Sequence, residues 1–358
     1  MNRIDSFLEL LVGQGGSDLH MTSGDVPRVR INGSLQAVRF RELSIQDVED
    51  MFAEIITDAQ RHRLASESSL DFAYPSETAG RFRVNVYRHV RGIAAALRVI
   101  PLKIPTIETL GLPDAIRSAI DMPKGLTLVT GPTGSGKSTT LAALVDHINQ
   151  TRGGHVITVE DPIEFVHESK RSLVTQREIG THASSFSEAL RAAIREDPDV
   201  ILVGEMRDLD TISLALTAAE TGTQVLATLH TNGAVRSVER VINVFPPRRQ
   251  EQIRTALAET LRMVVSQQLV RKADGTGRLA AIEIMINNHA LAAMVRSGNS
   301  HKIANAIQAG GRAGMQGLDA VLNEMVKAEI ITGEEAHEHA IDRATFERYL
   351  TENAAGWA

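Results

Sequence analysis

The chain is 358 residues long, 43% hydrophobic and 23% charged, a balance that supports sizeable folded cores, argues against a disordered chain and makes two domains the expectation. Its formal net charge of −6 at pH 7 offers no general attraction for a polyanion, so nucleic acid is not an expected partner. The absence of cysteine removes disulfides, thiol catalysis and cysteine-ligated zinc. No apolar run approaches the roughly 20 residues that span a bilayer, so the expectation is a cytoplasmic protein without a transmembrane segment.

The first hundred residues read as a small α+β unit. PRVRINGSLQAV (27–38) alternates polar and apolar residues around Asn32-Gly33, a strong hairpin signal. LSIQDVEDMFAEIITDAQRHRL follows, with Ser44 as N-cap and apolar residues at helical spacing over 45–56. GRFRVNVYRHVRGIAAALRVI (80–100) alternates again and predicts two strands turning near Arg91-Gly92. There Arg81 and Arg83, two apart, share one strand face and Phe82, Val84 and Val86 the other, while Arg98 in the next strand can join the arginine face. Arginine suits γ-phosphate recognition, because its planar fork stays charged and donates two hydrogen bonds at once. A small domain ahead of a nucleotide-binding core could carry such arginines to a neighbouring subunit's nucleotide.

Pro101, Pro105 and Pro113 interrupt regular structure and mark a linker over 101–113. Beyond it, short apolar runs at 126–130, 156–160, 200–203, 224–229 and near 279–286 alternate with helical stretches, the pattern of a parallel sheet. The end of the chain is helical in pattern, GLDAVLNEMVKAEII most clearly.

The most specific stretch is GLTLVTGPTGSGKSTTLAALVDHI. Gly131, Gly136, Lys137 and Ser138 fit the phosphate-loop pattern G-x-x-x-x-G-K-[ST], after an apolar strand and before a helix, as the motif requires. The segment Gly131, Pro132, Thr133, Gly134, Ser135, Gly136, Lys137, Ser138 and Thr139 is therefore expected to cradle the phosphates of a nucleotide. Lys137 would reach the β- and γ-phosphates and the Ser138 hydroxyl would ligate Mg²⁺. Hydrolysis also needs carboxylates for metal and water. Three stand at expected strand ends: Glu160 and Glu164 in VITVEDPIEF, and Glu205 in DPDVILVGEMRD. In a parallel sheet such ends point to the side where the phosphate loop sits. His230, closing TGTQVLATLH, is a further strand-end candidate, placed to contact the γ-phosphate or the acid that holds its water.

Together these motifs resemble the type IV pilus retraction ATPases of the PilT kind, within the secretion-ATPase superfamily. GGSDLHMTSGDVPRVRING, RFRVNVY, GPTGSGKST as Walker A, VITVEDPIEF as the Asp box, ILVGEMRD as Walker B, TGTQVLATLHTNGA as the His box and AIQAGGRAGMQGLDAVL carry the likeness nearly end to end. The resemblance implies an α/β chain with a PAS-like domain at 1–100 and a RecA-like ATPase domain with C-terminal helices at 114–358. It implies a homo-hexamer using ATP and Mg²⁺ at subunit interfaces, with Glu164 activating water, Glu205 beside the magnesium, Glu160 near the nucleotide, His230 as the box histidine, and Arg81, Arg83 and Arg98 acting across the interface. It further implies work on the inner-membrane platform protein at the pilus base, and through it on the pilin fibre. Assembly and secretion relatives carry an N-terminal extension and a four-cysteine zinc element, so a cysteine-free chain beginning at the PAS-like domain fits retraction. The retraction branch's AIRE element stands here as MVRS, with Ser297 at the glutamate position; an accessory paralogue, an assembly or type II secretion ATPase and, more remotely, a P-loop kinase are the alternatives.

Overall fold

The computed structural model describes residues 2–31, 33–101 and 103–350; Asn32 of the expected hairpin turn, Leu102 of the expected linker and residues 351–358 lie outside them. Its contacts define two compact units, Met1–Ile104 with Pro162–Val166, and Pro105–Asp161 with His167–Ala358.

The first unit comprises α1 (Asp5–Gly13), β1 (Asp18–Thr22), β2 (Arg28–Ile31), β3 (Ser34–Ala37), α2 (Ile45–Ala53), α3 (Asp58–Glu67), β4 (Ser69–Ser76), β5 (Gly80–His89) and β6 (Gly92–Ile100). Its strands form one antiparallel sheet in the order β3-β2-β1-β6-β5-β4. The expected hairpin is β2–β3, closed by the Ile31–Ser34 pair with Gly33 at φ +83°. On β5, Phe82, Val84 and Val86 are fully buried and Arg81 and Arg83 face the other way; burying each apolar side chain contributes roughly 2 kcal/mol. The helical stretch after Ser44 is two helices. Ser44 and Asp47 form a capping box on α2, and Thr57 with Gln60 forms a second on α3. A cap stabilises a helix start by about 1 kcal/mol, enough for Thr57 to begin a new helix. The helices' Leu8, Leu11, Val48 and Phe52 pack with Leu19, Met21, Val84 and Leu97 of the strands.

The second unit comprises α4 (Asp114–Ile120), β7 (Gly125–Thr130), α5 (Lys137–Thr151), β8 (His155–Glu160), β9 (Leu173–Glu178), α6 (Phe186–Ala193), β10 (Val200–Val203), α7 (Leu209–Glu220), β11 (Gln224–Leu229), α8 (Ala234–Asn243), α9 (Pro247–Thr260), β12 (Leu261–Arg271), β13 (Arg278–Ile286), α10 (His289–Arg296), α11 (Ile303–Ala309), α12 (Leu318–Lys327) and α13 (Gly333–His339). Its sheet runs β13-β12-β7-β11-β10-β8-β9, parallel throughout except for β13. Both faces are covered: Leu126, Leu128, Ile201 and Val203 join one core, and Val129, Val200 and Leu202 join the other. Burial on both sides explains why these strands read as unbroken apolar runs. In this unit the sequence reading missed two strands, as it missed β1 and β4 in the first. The edge strand β9 is half polar, and β12 follows α9 with no intervening loop and carries Ser266, Gln267 and Gln268 within its apolar run. Among the described residues, no helix is long and apolar enough to cross a membrane.

His167 gives this unit an acid sensitivity. It is buried, and its Nδ1 has no hydrogen-bond partner among the described residues. Burial pushes its pKa down to about 4, with Asp146 opposing and Lys170 adding to the shift. An unfolded histidine takes up its proton near pH 6.5, so stability is complete above that value and falls as the pH drops toward 4. Chemical denaturation should show the wild type losing about 2 kcal/mol between pH 7 and pH 5, and His167→Gln should remove most of that loss.

Candidate functional site

Because β7, β8, β10 and β11 run parallel, the residues after Thr130, Glu160, Val203 and Leu229 emerge along one edge of the sheet. The loop after β7 is held in a conformation only glycine tolerates. Gly131 sits at φ +144°, and a Cβ there would lie 2.2 Å from the Gln267 carbonyl oxygen. Gly134 and Gly136 also have positive φ, at +79° and +87°. Gln267 of β12 is 1% exposed and clamps the loop: its Nε2 donates to the Ser135 carbonyl (2.6 Å) and its Oε1 accepts from the Thr140 hydroxyl (3.0 Å). Lys137 Nζ donates to the carbonyls of Gly131 and Pro132, 2.9 Å to each.

These residues fit a nucleoside triphosphate. The Ser135 hydroxyl is buried and has no hydrogen-bond partner among the described residues. The loop leads into the N-terminus of a 15-residue helix, whose first N–H groups and positive dipole end favour anions. Thr133 and Ser138 are exposed and Thr139 half-buried at the same place.

Glycine also explains how Glu205 is placed. The Gly204 N–H donates to the Val159 carbonyl (2.7 Å), and a Cβ at Gly204 would stand 3.2 Å from Glu160 Cα. The chain leaving β10 thus passes tightly against the end of β8. Glu205 Oε1 lies 3.2 Å from His230 Nε2, and Oε2 lies 2.7 Å from Arg207 Nη2. The other ring nitrogen of His230 lies 3.5 Å from the Thr133 hydroxyl, linking phosphate loop, histidine and glutamate in series. Burial pushes the Glu205 carboxyl up, but the Arg207 hydrogen bond and the neighbouring charges of His230 and Arg207 more than offset this and hold it below the usual carboxylate range. Glu205 is consequently ionised at neutral pH. Glu160 Oε1 accepts from the Thr158 hydroxyl (2.6 Å) and from Gln176 Nε2 (3.2 Å).

The remaining candidates belong to the first unit. Arg83 Nη1 lies 3.7 Å from Glu164 and its Nε 3.6 Å from Asp71, while Arg81 Nη2 donates to the Ile163 carbonyl (3.4 Å). Arg98 faces Arg83 in register across β5–β6 and bonds Asp18 at 2.8 Å. Burial raises the Asp18 carboxyl, but Arg98 and Ser17 outweigh it and hold it low. The Arg83 pairs are long and partly exposed, so they contribute little to stability. Sequence reasoning missed Gln267 and Arg207. A glutamine pair inside the apolar run VVSQQLV was the available signal for the first; Arg207, exposed two residues after Glu205, had none.

A phosphate loop at a strand–helix junction, joined through a histidine to an ionised glutamate on a neighbouring strand end, defines a P-loop ATPase of the doubly wound α/β class. Residues 2–355 match the family described as Type II/IV secretion system protein, and the chain belongs to that family. It is 47% identical to the type IV pilus retractation ATPase PilT of Pseudomonas aeruginosa, over 94% of this chain and 98% of that one. It is 44% identical to the twitching motility protein of Neisseria gonorrhoeae, over 90% and 88% of the two chains. The crystal structure of the pilus retraction motor PilT and bound ADP superimposes with a TM-score of 0.90 at 41% identity, covering 97% of this chain and 99% of that one.

Proposed function

We propose that the chain is a hexameric motor at the cytoplasmic face of the inner membrane, which couples ATP hydrolysis at subunit interfaces to retraction of type IV pili through the platform protein at the pilus base. The names borne by its relatives and the shared fold over nearly the whole chain support the pilus assignment. The observation that carries the hydrolysis reading is the Thr133–His230–Glu205 series, which a passive nucleotide-binding loop does not need.

In this reading Lys137 exchanges the Gly131 and Pro132 carbonyls for β- and γ-phosphate oxygens. Ser138 and Glu205 would hold Mg²⁺, which neutralises charge on those phosphates. Glu164 orients a water and takes its proton as the water oxygen attacks the γ-phosphorus and the bond to the β-phosphate oxygen breaks, and ADP leaves. His230 relays the presence of the γ-phosphate from Thr133 to Glu205. Arg81, Arg83 and Arg98 serve the nucleotide of a neighbouring subunit, consistent with their half-exposed or exposed places on one sheet face.

Phosphate release by the purified protein should fall at least ~100-fold in Glu164→Ala, the scale of a lost catalytic group. Arg83→Ala should lower hydrolysis while the nucleotide affinity of the single subunit holds; an equal loss of that affinity would show that Arg83 acts within its own subunit. Transfer of phosphate to an added acceptor instead of water would establish a kinase. Deletion of the gene should leave cells piliated but unable to twitch, whereas loss of pili would identify an assembly motor. One observation favours an accessory role as second reading: Ser297 turns its hydroxyl back onto the carbonyls of Ala293 (2.8 Å) and Met294 (3.3 Å), presenting no charge where the retraction branch has a glutamate. In that case, twitching would persist until a second motor is also removed.

A further inference from the structure

We propose that Glu283 is a positioning residue for the nucleotide site: with Ser266 it holds the first turn of α8, and thereby the loop that begins at His230, and it ties that turn to the start of α12. Ser266 and Glu283 are directly opposite on β12 and β13. The Ser266 hydroxyl accepts the Gly233 N–H at 2.8 Å, and Glu283 Oε1 accepts the Ala234 N–H at 2.6 Å. His230 is only three residues before Gly233. The loop between them is drawn in by Ser237, whose hydroxyl meets Thr231 at 2.7 Å, the Gly233 carbonyl at 2.7 Å and Thr130, the last residue before the phosphate loop, at 3.3 Å.

The same carboxylate faces the C-terminal helices. Gln316 pairs its backbone with Ile284 (2.8 and 3.1 Å), and its side chain donates to the Ile282 carbonyl (2.7 Å). These bonds stitch the residues before α12 to β13 on either side of Glu283; burial pushes its carboxyl up and the Asp319 charge adds to this, against the amides of Ala234 and Leu318. Glu283 is 7% exposed and has no ion-pair partner among the described residues. A buried acid is costly unless its hydrogen bonds are made, so the two helix starts are coupled through it: the α8 start supplies the Ala234 amide, and the Gln316 bonds on either side hold the start of α12 against the same acid. A change at the γ-phosphate, passed through His230, then reaches α12.

Two measurements on the full-length protein test this, and the kinetic one rests on the hydrolysis reading. Without nucleotide, hydrogen–deuterium exchange in Glu283→Ala should speed up at least ~10-fold over both 231–238 and 317–322, the scale of a lost buried hydrogen bond. Ser266→Ala should do so over 231–238 alone. In ATP turnover, Glu283→Ala should lower kcat at least ~10-fold with KM within ~3-fold, as expected of a displaced catalytic loop. Unchanged exchange over 317–322 in Glu283→Ala would overturn the tie to α12, and faster exchange with an unchanged kcat would overturn the positioning role. Should Glu283→Ala fail to fold, Ser266→Ala must still loosen 231–238 and lower kcat, or the proposal falls. A wild type that releases no phosphate would refute the proposed function, leaving the exchange data to decide the tie.

Discussion

Replacing Glu205 by alanine should lower phosphate release by at least ~100-fold, with nucleotide affinity changed less than ~10-fold. The carboxylate is ionised at neutral pH because Arg207 and His230 outweigh its burial, and its place is set by the tight passage of Gly204 against β8. In the proposed reading the phosphates are gripped elsewhere, by the loop from Gly131 to Lys137, so binding should survive. Glu205→Gln separates charge from shape: the amide keeps the side chain's size and an oxygen for Arg207 or His230, but cannot supply the anion. Both variants should therefore fall together. A phosphate-release assay beside a fluorescent-nucleotide titration decides the matter, and wild-type turnover in either variant would remove Glu205 from the chemistry.

Gly131→Ala should abolish nucleotide binding and lower stability by about 3 kcal/mol, combining an unfavourable backbone conformation with a steric overlap. At φ +144° an L side chain is strained whatever the space around it, and here the space is filled by the backbone carbonyl of Gln267, 2.2 Å from the added carbon. Backbone cannot step aside like a flexible side chain. Relief requires β12 and the phosphate loop to separate, which breaks the Gln267 bonds to Ser135 and Thr140. Gly134→Ala is the control, since a Cβ there meets nothing within 4 Å and only the backbone strain remains. Calorimetric melting and nucleotide titration should rank wild type above Gly134→Ala above Gly131→Ala, and equal behaviour of the two variants would show that the clash is relieved at no cost.

Much of the site was legible because its signals are local. A glycine-rich turn between an apolar strand and a helix needs no distant partner to be recognised, and the acids and histidine at the ends of 156–160, 200–203 and 224–229 share an edge once the strands are parallel. The alternation that set Arg81 and Arg83 opposite Phe82 and Val84 is likewise a property of one strand. Partners far apart in sequence were not legible: Gln267 clamps Ser135 from 132 residues away and Glu283 caps Ala234 from 49 away. Nothing in VVSQQLV or AAIEIMI says which loop the polar side chain will meet.

By itself, the sequence determined the phosphate loop, the apolar runs of a doubly buried sheet and the family resemblance, because these rest on residue types at short, fixed spacings. Only the tertiary structure decided that Glu160 and Glu164, four residues apart, belong to different compact units, Glu160 bonded to Thr158 and Gln176 and Glu164 facing Arg83. The physical reason is that a carboxylate's role follows from the charges and amides packed around it, and those arrive from distant segments when the cores close.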